Sequence, residues 1–230
     1  MSALASHVDF WKYAPWPSLE EGESEVEFYL VYQGSLPAAG RGGKGGRRRE
    51  KHNIRRHFHK QLKTLWNTQP FLANFGKSPL VEVAGQWVAV ESRDTVLKKF
   101  SERYSKCGYR FMPLVSQWFM AACSLEILFL RRDGPGSLIK TGGDIDNRLK
   151  VLFDALRMPE YDHDVCGDKP TPDEEPLFCL LEDDRLISKV SVETNWLLTP
   201  LQDDEHINDV HLTIKVKTIS VGSSKYEAAF

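Results

Sequence analysis

The sequence predicts a mixed α/β (α+β) fold, with a mostly antiparallel sheet and helices on one side of it. Three stretches alternate apolar and polar side chains with the two-residue period of half-buried strands. Two others, Ile54-Phe58-Leu62-Leu65 and Ile145-Leu149-Leu152-Phe153-Leu156, recur at helical spacing. A chain of 230 residues, 41% of them hydrophobic, suits one large domain with a real core. We expect an N-terminal arm over 1–24 and a single domain over 25–230, with a basic loop at 38–50 and an insertion at 67–108.

In the arm, Trp11, Tyr13 and Trp16 stand between prolines ahead of an acidic patch. Residues 25–36 read as the first strand, with Val26, Phe28, Leu30 and Tyr32 on one face and Glu25, Glu27 and Tyr29 on the other. Residues 38–46 are too glycine-rich to order alone. Gly40, Gly42 and Gly45 do satisfy a G-x-G-x-x-G pattern. A dinucleotide site is nevertheless excluded, because Arg47, Arg48 and Arg49 follow where a Rossmann helix packs small apolar residues. Lys44 is followed by Gly45, not by the Ser or Thr of a phosphate-binding P-loop.

A helix is expected over 50–66, with Arg56, Lys60 and Lys63 along a second side and His52, His57 and His59 as surface groups. The insertion holds a hairpin about Ala84-Gly85 and a helix over 93–107 with Val96, Phe100 and Tyr104 on one stripe; its task is either packing or the choice of partner or substrate, and the sequence does not assign it. The stretch 122–130 is apolar on both sides, as a central or covered strand requires. The loop from Met158 to Phe178 is polar and contains His163, Asp164 and Cys166. Three mixed ligands in one short loop, with no partner pair elsewhere, make a weak zinc candidate. Two strands close the domain: one carries Leu186, Val190, Val192, Trp196 and Leu198, the other Val210, Leu212, Ile214 and Val216.

The net charge of −2 conceals segregation. Residues 20–27 hold five glutamates, whereas 41–63 hold Arg41, Lys44, Arg47, Arg48, Arg49, Lys51, Arg55, Arg56, Lys60 and Lys63 against Glu50. Screening erases charges beyond about 8–10 Å, so the local cluster sets the local potential and suits phosphate. An ordinary solvated loop is the alternative use of such a run. Cys107, Cys123, Cys166 and Cys179 have no Cys-x-x-Cys spacing, which favours free thiols in a reducing compartment. With no signal-like or membrane-length apolar run, a cytoplasmic protein with no membrane partner is expected.

The chemistry-bearing stretch is Thr141-Gly142-Gly143-Asp144-Ile145-Asp146-Asn147, which leads into a helix carrying Lys150. If Asp144 to Asp146 is extended, both carboxylates share one side. Asp146 or Asn147 suits the helix N-cap, and Lys150 lies one turn on. Such a pair also serves as a plain solvated cap. What sets this one apart is a second acidic stretch, Glu182-Asp183-Asp184, entering a strand. An EF-hand is excluded because Leu149 stands where the calcium loop needs glycine.

Asp144, Asp146, Asn147 and Lys150, then Phe153-Asp154-Ala155-Leu156, then Asp183-Asp184 at a strand entrance resemble the RusA family of Holliday-junction resolvases. The resemblance covers about a third of the chain and implies a RusA-like fold with insertions. It further implies a homodimeric, magnesium-dependent endodeoxyribonuclease acting on four-way junctions or other branched DNA, in DNA recombination and repair. The implied catalytic set is Asp144, Asp146, Lys150 and Asp184. The metal ligands would be Asp144, Asp146 and Asp184 with Asp183 adjacent; the residues alone do not separate the last two.

Magnesium, or manganese in its place, prefers carboxylate oxygens and activates water for phosphodiester hydrolysis. No small-molecule cofactor is expected. Lys140 is the one basic residue just before the acidic pair. DNA binding is therefore expected to rest on Lys44, Arg47, Arg48, Arg49, Lys51, Arg56, Lys60 and Lys63 together with Lys140. The alternative is a branched-nucleic-acid-binding module whose catalysis is lost or partner-dependent.

Overall fold

The structure, a computed structural model, describes residues 26–36, 44–75, 80–83, 86–89, 92–132, 145–199 and 209–221. The expected arm, most of the glycine-rich loop, Lys140 and Asp144 lie outside these residues. The first strand, β1 (Glu27–Ser35), alternates as its sequence implies, with Leu30 buried and Glu27, Tyr29 and Val31 exposed.

Helix α1 (Lys44–Thr68) starts six residues before the expected boundary and takes in Gly45 and Gly46. Its buried row is Ile54, Phe58, Leu62 and Trp66, one residue every four positions, so Trp66 fills the place expected of Leu65. His52, Arg55 and His59 belong to the same buried face. The surface positions expected for His52 and His59 are thus corrected, while His57 is exposed. The reason lies in what those rings meet. His52 Nε2 is 3.2 Å from the Tyr109 hydroxyl, and His59 Nδ1 accepts from the Phe178 amide at 2.9 Å.

The insertion continues with α2 (Pro70–Asn74), the hairpin β2 (Leu80–Val83) and β3 (Gln86–Ala89), and α3 (Arg93–Ser101). Ser92 caps α3 by accepting from the Thr95 amide. Val96, Phe100 and Tyr104 are buried as expected, although α3 gives way to a 3-10 turn from Glu102 to Tyr104. Phe75 and Phe100 join Trp66 and Phe119 in an aromatic cluster, with edge-to-face contacts of 5.4 and 5.5 Å. Arg93 donates to the Trp66, Leu72 and Phe75 carbonyls. This segment packs onto the core.

Beyond it come β4 (Ser105–Lys106), β5 (Tyr109–Val115), β6 (Ala121–Arg131), α4 (Ile145–Leu156), β7 (Leu177–Leu181), β8 (Ile187–Trp196) and β9 (Asp209–Ser220). The main sheet has the order β1-β9-β6-β8. Its β1–β9 and β9–β6 pairs are antiparallel, whereas β6–β8 is parallel. Leu30, Ile214, Ile127 and Val192 form one rung across all four strands on the core face. The smaller sheet β4-β5-β7 contains a parallel β5–β7 pair. The result is a mixed α+β fold.

Strand β7 falls at the end of a segment expected to be loop. Its five residues, Leu177-Phe178-Cys179-Leu180-Leu181, are all buried, as a parallel strand covered on both faces must be. Both α1 and α4 pack on it. The half-buried expectation for β8 is corrected too: Trp196 is 52% and Leu198 86% exposed. As the outermost strand, β8 reaches past the layer that covers β6 and β9. At the opposite edge, Gln61 of α1 closes β1, accepting from the Val31 amide at 3.0 Å and donating to the Val31 carbonyl at 2.7 Å.

Cys123 and Cys179 are buried and all four thiols are free, as expected, although Cys107 and Cys166 are only half-buried. Among the described residues no helix is long and apolar enough to cross a membrane.

Candidate functional site

Helix α4 is held at both ends by buried arginines. Near its start, Arg148 donates to the Leu36 carbonyl at 2.9 Å. At its far end, Arg55 of α1 donates to the Asp154 carbonyl at 2.7 Å and to the Arg157 carbonyl at 3.1 Å. These carbonyls belong to the last turn and the residue after it, where the helix cannot satisfy its own acceptors. The buried arc is Arg148, Val151, Leu152, Ala155 and Leu156. Ile145, Leu149 and Phe153 of the expected stripe are half-buried, because the helix rolls towards α1 and β7.

Asp146 stands in the first turn of α4, where a carboxylate meets unpaired backbone amides. Its Oδ2 is 3.7 Å from Lys150 Nζ, and both side chains are exposed. An exposed pair of this kind is worth at most about 1 kcal/mol, so either group is free to change partner.

Asp183 and Asp184 are separated by the structure where the sequence left them equivalent. Asp183 caps the 3-10 turn Asp184–Leu186 by accepting from the Arg185 amide, and the Arg185 guanidinium grips both of its oxygens at 2.8 and 3.2 Å. That guanidinium holds the Asp183 carboxyl below its ordinary pKa. Asp184 is exposed and has Arg157 Nε 4.0 Å from its Oδ2. Arg157 also binds Asp154 Oδ1 at 3.1 Å and Glu160 Oε2 at 3.2 Å, tying the last turn of α4 to the loop beyond.

Asp146 and Asp184 are therefore met at different levels of α4: Asp146 in its first turn, Asp184 through the arginine that follows its last. Among the described residues no three His, Cys, Asp or Glu side chains form a metal-holding group. Asp144, which the expected ligand set requires, lies outside them.

The expected DNA-binding residues divide into two sets. Arg56 is committed to Asp168 at 2.9 Å and Glu174 at 2.7 Å, and Lys63 to Asp173. Lys51 pairs with Asp154 at 3.0 Å, while Arg49 is exposed and only 3.9 Å from Asp168. Lys60 is exposed. Among the described residues, Arg47 and Arg48 form no ion pair with an acidic side chain. Lys44 opens α1, and Lys140 is outside the described residues.

Arg47, Arg48 and Lys51 line one side of a notch of about 320 Å³; Lys150 and Arg157 line the other. That volume lies at the lower end of the roughly 300–1,000 Å³ range of ligand sites. Its floor and lip come from Asp154 and the loop Glu160–Asp164. A second hollow shares Arg48 and His163 and continues to Arg49, Cys166 and Gly167. Cys166 and Gly167 both take left-handed backbone, at φ of 56° and 74°, which turns the chain at this lip.

Arg55, Arg157 and the 161–163 lip were not singled out from sequence as functional. Arg157 had one signal, a cation just past the end of an amphipathic helix. The chain matches no family model, no curated protein and no solved structure.

Proposed function

We propose that the chain binds branched DNA along the α1–α4 notch and hydrolyses it as a magnesium-dependent endonuclease of the RusA type. Asp144, Asp146 and Asp184 are the acids in this reading. One arrangement supports it: Lys150 and Arg157, the cations nearest Asp146 and Asp184, line the same notch as Arg47, Arg48 and Lys51. Asp146 and Asp184 do not line the notch themselves, and a phosphate backbone drawn into it is connected to them through Lys150 and Arg157.

Asp146 and Asp184 offer oxygen donors alone, are exposed, and among the described residues each makes one ion pair, a donor set that fits magnesium or manganese. Asp183 fits less well, because both its oxygens already accept from Arg185. A bound divalent ion would polarise the phosphate and acidify an attacking water. Lys150 then holds a non-bridging oxygen, and Arg157 orients Asp184 while offsetting its charge.

The test uses a labelled four-way junction, a flap and a linear duplex, each with magnesium or with chelator. Cutting only in magnesium, lost in Asp146→Asn while binding persists, is the expected result. Retention without cutting ends the nuclease reading and leaves a binding module. One observation favours that second reading: the Arg157 guanidinium already stands where Asp184 would need a cation.

A two-fold junction calls for a two-fold dimer. Among the described residues the outer edge of β8 pairs with no strand. Antiparallel pairing with a second copy about Ser191 sets Lys189 against Glu193 and Val190 against Val192. An edge that places opposite charges on each other in its own copy is self-complementary, and each such pair contributes about 0.2–1 kcal/mol.

A further inference from the structure

The lip of the notch carries a feature that phosphate binding does not use. Tyr161 and His163 stack ring on ring, with centroids 5.3 Å apart and planes within 10° of parallel. Both side chains are exposed, Tyr161 at 55%. An aromatic pair held flat at the surface is seldom left without a partner to cover it.

The pair is held from beneath. Asp164 Oδ2 accepts from the Glu160 and Tyr161 amides at 3.2 and 3.1 Å, and Val165 is buried in the core. Burial alone would raise the Asp164 pKa, but those two amides and Lys51 take it below the ordinary value, so the fastening stays ionised near neutrality. The rings are thus presented by a fixed turn.

The same rings line the notch beside Arg47, Arg48 and Lys51. The acids there are spoken for: Asp154 by Lys51 and Arg157, Glu160 by Arg157, Asp164 by backbone amides. Arg47 Nε is cut off from solvent with no hydrogen-bond partner among the described residues. Arg47 and Arg48, which pair with no acid among the described residues, therefore stand next to an exposed aromatic pair. Recognition of an unpaired nucleotide needs both parts, positive charge for the phosphate and a π-face for the base. A duplex cannot use the second part, because its bases are stacked on one another.

We propose that the Tyr161–His163 lip and the Arg47–Arg48 side of the notch form a subsite for one unpaired nucleotide. The base lies on the aromatic pair and its phosphate on the arginines. The subsite rests on the nucleic-acid reading above and narrows it: the preferred substrate has an unpaired nucleotide at the branch, as flaps and gaps do.

The experiment measures fluorescence anisotropy of the full chain in chelator, with a labelled oligothymidine, the same backbone bearing consecutive abasic sites, and a duplex of equal length. Intact single strand is expected to bind about ten- to a hundredfold tighter than the abasic strand. Tyr161→Ala with His163→Ala should remove that difference and leave duplex binding unchanged, which also shows the variant is folded. Tyr161→Phe with His163→Phe should retain it.

Equal binding of intact and abasic strands, or an alanine variant that keeps the difference, overturns the subsite while duplex binding keeps the nucleic-acid reading alive. If none of the three probes binds, the subsite falls, while the branched-DNA reading is decided by the four-way junction and the flap.

Discussion

His52 is fixed as a neutral imidazole by the groups it faces. Arg55 can only donate, so Nδ1 accepts its hydrogen bond at 3.3 Å and Nε2 carries the hydrogen directed at Tyr109. A proton on Nδ1 would set two donors against each other in a buried place. Burial first, then Arg55 and Arg56, lower the pKa of His52 from 6.5 to about 4. Above the unfolded value the ring is neutral in both states. Below it the unfolded chain takes up a proton that the folded chain refuses, so stability falls by about 1.4 kcal/mol per pH unit until the folded value is reached. We expect denaturant unfolding to show a loss of about 2–3 kcal/mol from this residue between pH 7 and pH 4.5. His59, shifted the same way chiefly by burial, adds to it. In His52→Gln the slope should flatten; an unchanged slope would contradict the assignment. Arg55→Met should cost about 3 kcal/mol at neutral pH, because it strips two buried helix-end carbonyls of their donor. The sequence places 52, 55 and 59 near the apolar row of α1. It does not show that Tyr109, Asp173 and Phe178 come from elsewhere to satisfy polar groups there, and so the histidines read as surface residues.

Helix α1 performs two tasks along its length. Arg56 and Lys63, in its middle and C-terminal parts, are committed to the 168–174 segment, whereas Arg47 and Arg48 near its start meet no acid among the described residues. Substitution should separate the two. Arg47→Glu with Arg48→Glu is expected to weaken DNA retention and lower the slope of log affinity against log salt by about 2, since each phosphate contact contributes about 0.9. Lys63→Glu should leave that slope in place. Equal losses in both would mean that pairing with Asp173 does not occupy Lys63. Composition gave the basic run but not this division, which depends on where a distant acidic segment folds back. The early start of α1 was hidden for a different reason: each helical glycine costs about 1 kcal/mol, so Gly45 and Gly46 read as loop although the helix runs through them. In α4 the helix itself could be read directly; its start at Ile145, which puts Asp146 inside the first turn and not at an extended N-cap, and its roll towards α1 and β7 could not.

For the molecule as a whole, β1 and β9 were legible because each has one covered face, whereas the alternation of β8 overstated its burial. The strand β7 was not, since a short run of buried residues without alternation looks the same as any apolar stretch. The separation of Asp183 from Asp184 was also invisible, because it turns on which oxygen Arg185 grips. The proposed two-copy assembly makes a prediction at this scale. By light scattering, Lys189→Glu or Glu193→Lys alone should loosen the pair about tenfold, and the two together should restore it. A single variant with undiminished association would place the contact elsewhere. The edge at β1 bears on the same question. Gln61 lays its amide on both backbone groups of Val31, so α1 occupies that edge as a surrogate for a neighbouring strand. Among the described residues the β8 side of the main sheet is the edge left for a newcomer. In the proposed assembly, growth by strand addition along this sheet stops once two chains have met, and a sheet that could otherwise lengthen into a ribbon is limited to a closed pair.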